Sequence, residues 1–166
     1  MKKIVLSITI LLVSGLAFNS NGASIMHTTA QNSTVIEDNT PVVKAYLVLK
    51  DALAADDGVA AKSAAAALKT AVNELSGDSK NLKAVHKEAN AIAAAEDIKS
   101  QRAALNDLST HLFALLKEIG ASQTLYLAYC PMAKGSWISD EKNITNPYYG
   151  KSMLTCGSVK ETLEAK

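Results

Sequence analysis

Between Thr40 and Gly120 the apolar residues recur at helical spacing in four runs, each closed by a breaker, and this pattern narrows the fold more than any other feature. Thr40-Pro41 opens the first run, because threonine can cap free N–H groups and proline suits the first helical position. Val43, Tyr46, Leu47, Leu49 and Leu53 follow on one face up to about residue 55. Asp56-Asp57-Gly58 interrupts, with Asp57 placed to cap a second helix running to about Leu75. That helix is rich in alanine, a strong helix former whose small side chain admits a close neighbour, and Ala61, Ala64, Leu68, Val72 and Leu75 make its stripe.

Ser76-Gly77-Asp78-Ser79 stops and restarts the chain. Leu82, Val85, Ala89 and Ile92 mark a third helix. A break is expected near residues 94–97, since an unbroken helix to Glu118 is too long for a small domain, and Asp97 reads as a cap. Ile98, Leu105, Leu108, Leu112, Leu115 and Ile119 form the fourth stripe, which Gly120 ends. Four amphipathic helices with short connections predict a mainly α fold, a four-helix up-and-down bundle.

After Gly120 the composition changes. Leu125, Leu127 and Tyr129 alternate with Tyr126 and Ala128, which predicts a short strand. Trp137 and four of the five tyrosines fall between Ala121 and Gly150, among turn signals at Gly135, Asn146-Pro147 and Gly150. A last short helix is expected over residues 158–163. The expected fold is thus a bundle carrying a small irregular or β C-terminal tail, with residues 40–166 as one domain and 121–157 as its motif segment.

Ahead of the bundle, Lys2 and Lys3 precede an uncharged, mostly apolar stretch over residues 4–16. Gly15-Leu16-Ala17 or Ser20-Asn21-Gly22 then offers a cleavage site, so residues 1–22 read as a secretory signal. The apolar stretch is shorter than the ~20 residues that span a bilayer, and the mature form is expected to be soluble, exported and without a membrane span. Residues 23–39, polar and without apolar period, read as a flexible leader that includes Met26 and His27. Removing Lys2 and Lys3 moves the formal charge from +1 to −1, which argues against nucleic acid or an anionic membrane surface as a partner.

All the sulfur beyond residue 26 lies in the tail, as Cys130-Pro131-Met132 and Met153-Leu154-Thr155-Cys156. Thiolate and thioether are soft ligands, and thioether favours Cu(I) or Ag(I) over Zn(II). Residues two apart in an extended segment share a face, so Cys130 and Met132 could reach one ion. Met153 and Cys156 suit a helical turn or a tight loop. An equally direct reading of two cysteines in an exported chain is a Cys130–Cys156 disulfide. It would close a loop of about 25 residues and stabilise the fold by roughly 3 kcal/mol on the chain-entropy account. Reduced cysteines that bind metal until an oxidant closes the bridge combine the two. His86 and His111, at the edges of the third and fourth apolar stripes, are further candidate ligands. Gln101-Arg102 could anchor the tail through hydrogen bonds to backbone carbonyls, or Arg102 could simply pair with a nearby acid. No G-x-S-x-G, H-E-x-x-H, P-loop or dinucleotide fingerprint occurs, so an enzyme is not expected.

The tail strings Tyr129-Cys130-Pro131-Met132-Ala133, Trp137-Ile138-Ser139 and Asn146-Pro147-Tyr148-Tyr149-Gly150-Lys151-Ser152-Met153-Leu154-Thr155-Cys156-Gly157 carry a resemblance. So do Ala45-Tyr46-Leu47-Val48-Leu49-Lys50-Asp51-Ala52-Leu53 and Asp97-Ile98-Lys99-Ser100-Gln101-Arg102 in the helices. The chain resembles a periplasmic domain-of-unknown-function family that occurs alone or fused to heavy-metal efflux adaptor subunits of the copper/silver type. The resemblance implies periplasmic heavy-metal binding near an efflux system, with an efflux adaptor subunit as partner. The chain has no room for the hairpin, lipoyl and barrel regions of an adaptor, so the expected role is a soluble carrier, buffer or sensor.

Overall fold

A computed structural model describes residues 38–166. The expected signal segment, and the leader with Met26 and His27, lie outside the described residues except for Asp38 and Asn39. Four helices follow the breaks in the sequence: α1 Thr40–Ala54, α2 Gly58–Asn73, α3 Lys80–Ala94 and α4 Ile98–Ile119. Each packs on its neighbour in the chain, α1 on α2, α2 on α3 and α3 on α4. The expected stripes are buried except for Leu47, Ile98 and Ile119, which are half-buried against the core, and Tyr46, Leu49, Leu53, Leu68, Ile92, Leu105, Leu108, Leu112, Leu115 and Leu116 are fully enclosed.

The helix starts are held by side chains of the expected kind. Asp57 accepts from the N–H groups of Val59 and Ala60, Ser79 from Leu82, and Asp97 from Ser100. Thr40 is the exception. It is the first helical residue and Asn39 takes the cap position, but without a capping side-chain bond. The Asn39 amide is used elsewhere: its Nδ2 donates to Gly120 O at 2.6 Å and its Oδ1 accepts from Ser122 N–H at 3.2 Å. Asn39, assigned to the leader from its polarity, is therefore buried and ties the start of α1 to the end of α4.

The tail forms an antiparallel sheet of β1 Leu125–Cys130, β2 Gly135–Ser139 and β3 Ser158–Leu163, in the order β2-β1-β3. β3 replaces the expected last helix. Six residues are too few to nucleate a stable helix alone, whereas the free edge of β1 offers a row of backbone partners. Leu125 pairs with Leu163 and Tyr129 with Ser158, and a bulge opposite Leu127/Ala128 takes up one extra residue.

Strand alternation gives the sheet two packed faces. Leu125, Leu127 and Ile138 join the helical core. Ala128, Cys130 and Trp137 form a second, smaller apolar cluster against Ala133, Ile144, Tyr148, Tyr149 and Cys156. The chain between β2 and β3, including a 3-10 turn at Gly150–Ser152, covers that second cluster like a strap. No helix among the described residues is long and apolar enough to cross a membrane.

Candidate functional site

The second cluster is where the sulfur meets. β1 ends at Cys130, the chain turns through residues 131–134, and Cys156 returns on the strap. The two Sγ atoms stand 2.8 Å apart. Cys130 is buried and Cys156 half-buried. Their positions are 26 residues apart in the chain, so tertiary folding alone makes them neighbours.

The turn after Cys130 points backbone N–H groups at its sulfur. Burial opposes ionisation there. The Cys156 thiol, the N–H groups of Ala133 and Met132 and the Asn146 amide outweigh it and hold the Cys130 thiol below its ordinary range. Cys156 is pushed the other way, first by its hydrogen bond with Cys130, then by burial and by the Cys130 charge. The pair therefore gives up one proton readily and the second with difficulty.

Met132 and Met153 lie on the same two loops but outside the buried contact, 63% and 37% exposed. The shared-face expectation for Cys130 and Met132 does not hold, because the strand ends at Cys130 and Met132 sits in the turn. Met153 and Cys156 do form the expected tight loop, with Cys156 N–H donating to Met153 O at 3.2 Å. The histidines are placed elsewhere. His111 Nδ1 bonds Glu88 Oε1 at 2.7 Å between α4 and α3, and His86 Nδ1 bonds Asn73 Oδ1 at 3.1 Å between α3 and α2. Among the described residues no group of three or more His, Cys, Asp or Glu side chains is arranged to hold a metal ion. A soft ion here would depend on the two thiolates with thioether support.

Three anchors fix the strap. Arg102, on α4, donates from Nε to Pro147 O at 2.7 Å, which is the expected anchoring of the tail through a carbonyl, and from Nη2 to Leu53 O in α1 at 2.6 Å. Its Nη2 also meets Asp56 Oδ1 at 2.6 Å, while Asp56 Oδ2 accepts from Lys151 N–H at 3.0 Å. Gln101 does not join it, its Nε2 turning to Gly58 O at 3.2 Å. Gly150 has φ +54°, and a Cβ there would run into the Asp56 carboxylate. Tyr148 supplies the second anchor, its hydroxyl donating to Ser136 O at 2.5 Å and its ring meeting Trp137 edge-on at 6.2 Å. The third is Asn146, fully buried, whose Nδ2 donates to Cys156 O at 2.8 Å and whose Oδ1 accepts from Tyr148 N–H at 2.8 Å.

Beneath the hairpin, Tyr46 joins α1 to the sheet. Ser109 Oγ donates to Leu105 O at 2.6 Å, so it accepts the Tyr46 hydroxyl proton at 2.6 Å, and the Tyr46 oxygen in turn accepts from Ile138 N–H at 3.1 Å. Asp56, Asn146 and Tyr46 are the supporting residues that sequence reading passed over, taking them as a breaker, a turn and a core aromatic. The Asn146-Pro147 pair was the one local signal, since asparagine before proline favours a side-chain-closed turn.

No curated protein and no solved structure is detectably similar to the chain. A family model does match, over residues 42–124, which covers the helices from the third residue of α1 to the end of α4 and stops at the residue before β1. The cysteine-bearing sheet and strap lie beyond the matched span. On a match to half of its length, the chain belongs to the family described as Protein of unknown function (DUF3347).

Proposed function

We propose that this is an exported, periplasmic soft-metal carrier that takes Cu(I), or Ag(I), on the thiolates of Cys130 and Cys156. The observation that carries this reading is the meeting of two thiols from separate loops, with backbone N–H groups turned onto the Cys130 sulfur. That setting favours a thiolate, the form of cysteine that binds metal. Exposed Met132 and Met153 on the same loops add thioether donors, which suit Cu(I) far better than Zn(II). The tail strings that resemble efflux-associated domains supply the expected recipient, a heavy-metal efflux adaptor subunit, and transfer by ligand exchange needs no catalytic group.

The 2.8 Å approach of the sulfurs favours a second reading, a helical interaction module whose strap is locked by a Cys130–Cys156 disulfide. Counting free thiols before and after reduction, in protein isolated from the periplasm, separates the two. Anaerobic Cu(I) titration of the reduced protein against a competing chelator then tests the first. Tighter binding than in the variant with Cys130→Ser and Cys156→Ser is the expected result. Equal binding by the two proteins refutes the thiolate site.

A further inference from the structure

We propose that Asn146 is the positioning residue that sets the approach of Cys156 to Cys130, an inference that rests on the reading of this thiol pair as the functional site. The loop over residues 146–156 is closed at its neck by Asn146 alone. Its N–H donates to Leu154 O at 2.7 Å and its carbonyl accepts from Gly150 N–H at 3.2 Å. The side chain then works in two directions. Oδ1 accepts from Tyr148 N–H at 2.8 Å and faces Tyr149 N–H at 3.4 Å, which shapes the turn. Nδ2 donates to Cys156 O at 2.8 Å. One buried amide therefore holds the backbone of Cys156 and shapes the turn that leads toward it.

A buried amide of this kind is dear to leave unpaired, since no water can replace a lost bond in a closed site. The Asn146 side chain has no solvent alternative, being fully enclosed. Its bonds are satisfied only when the Cys156 carbonyl stands where it does. The consequence is a raised effective concentration of one thiol beside the other. An apolar or shortened side chain at this place leaves the strap attached through Arg102 and Tyr148 but frees the Cys156 end.

The test is the thiol–disulfide equilibrium of the full chain with glutathione. One oxidised glutathione takes two electrons from the two thiols, the Cys130–Cys156 bond forms, and two reduced glutathione molecules leave. Asn146→Asp keeps the Oδ1 acceptor of Tyr148 and removes the Nδ2 donor, while Asn146→Ala removes both. Each is expected to shift the equilibrium about tenfold toward the dithiol, equivalent to about 30 mV. Ser79→Ala, which removes a distant helix cap, provides a control destabilised for an unrelated reason. The proposal is overturned if Asn146→Asp stays within twofold of wild type, or if Ser79→Ala shifts the equilibrium as far. It is overturned equally if Asn146→Asp does not fold, because Asn146 is then a folding residue and not a positioning one. Cu(I) titration of the same proteins keeps the two ideas apart. Wild-type binding no tighter than the double serine variant removes the metal reading, while the glutathione equilibrium still judges Asn146.

Discussion

Replacing Tyr46 with phenylalanine removes a single oxygen from the centre of the molecule and should destabilise it by about 2 kcal/mol. The figure follows from three groups. Tyr46 is fully buried, so no water can take the place of its hydroxyl. Ile138 N–H, which donates to that hydroxyl at 3.1 Å, belongs to the edge strand β2 and faces away from β1; without the oxygen it is buried and unpaired, at about 1–3 kcal/mol. Ser109 Oγ loses a donor but keeps its own bond to Leu105 O at 2.6 Å, a smaller loss. Urea unfolding followed by the fluorescence of Trp137, the single tryptophan, reads the change directly. A fall in melting temperature of roughly 8 °C should accompany it. The same residue carries a pH signature. Burial, opposed by the Ser109 and Ile138 bonds, pushes the Tyr46 hydroxyl up to about 12 from 10.0. A raised folded-state value means the contribution is complete below the unfolded value of 10 and is lost as pH climbs toward 12. The gap between wild type and Tyr46→Phe should therefore narrow over that window. A destabilisation below about 0.5 kcal/mol, or a gap that widens with alkali, would refute the hydrogen-bond account.

Gly157→Ala should open the strap over Trp137. Gly157 has φ +141°, and a Cβ would stand 2.6 Å from the Trp137 ring, so a red-shifted emission and a lower melting temperature are expected. Arg102→Met should loosen the strap while sparing the bundle. Hydrogen exchange at Gly150 and Lys151 is expected to quicken about tenfold with the helix amides unchanged, and uniform quickening would contradict the anchoring role. Ser79→Ala should cost about 1 kcal/mol in urea unfolding, as the loss of the cap bond to Leu82 N–H at 3.0 Å.

The helices were legible because their signals are local. The spacing of Leu105, Leu108, Leu112 and Leu115, and the caps Asp57 and Asp97, act within a turn or two of chain, where side-chain spacing and backbone bonding are decided together. Where a signal served a distant partner, local reading failed. Asn39 looked like leader because its polarity is satisfied across the bundle at Gly120 and Ser122, and residues 158–163 looked helical because β1 lies far away in sequence. The strand argument for Met132 failed for a related reason: strand length depends on pairing, and β1 runs out of partner at Cys130↔Gly135.

By itself the sequence determined four amphipathic helices with their breaks, a chemically distinct tail, and a sulfur inventory that beyond residue 26 is confined to two short strings. What tertiary structure decided is that Cys130 and Cys156 meet, that Met132 and Met153 stand outside the contact, and that His86 and His111 are engaged between helices. The physical reason is the difference in reach. Helical period is written every three to four residues, whereas the sulfur pair depends on a buried asparagine, an arginine on α4 and an aspartate after α1 acting together on one strap. No spacing rule connects those residues, and only the packed sheet brings them to the same place.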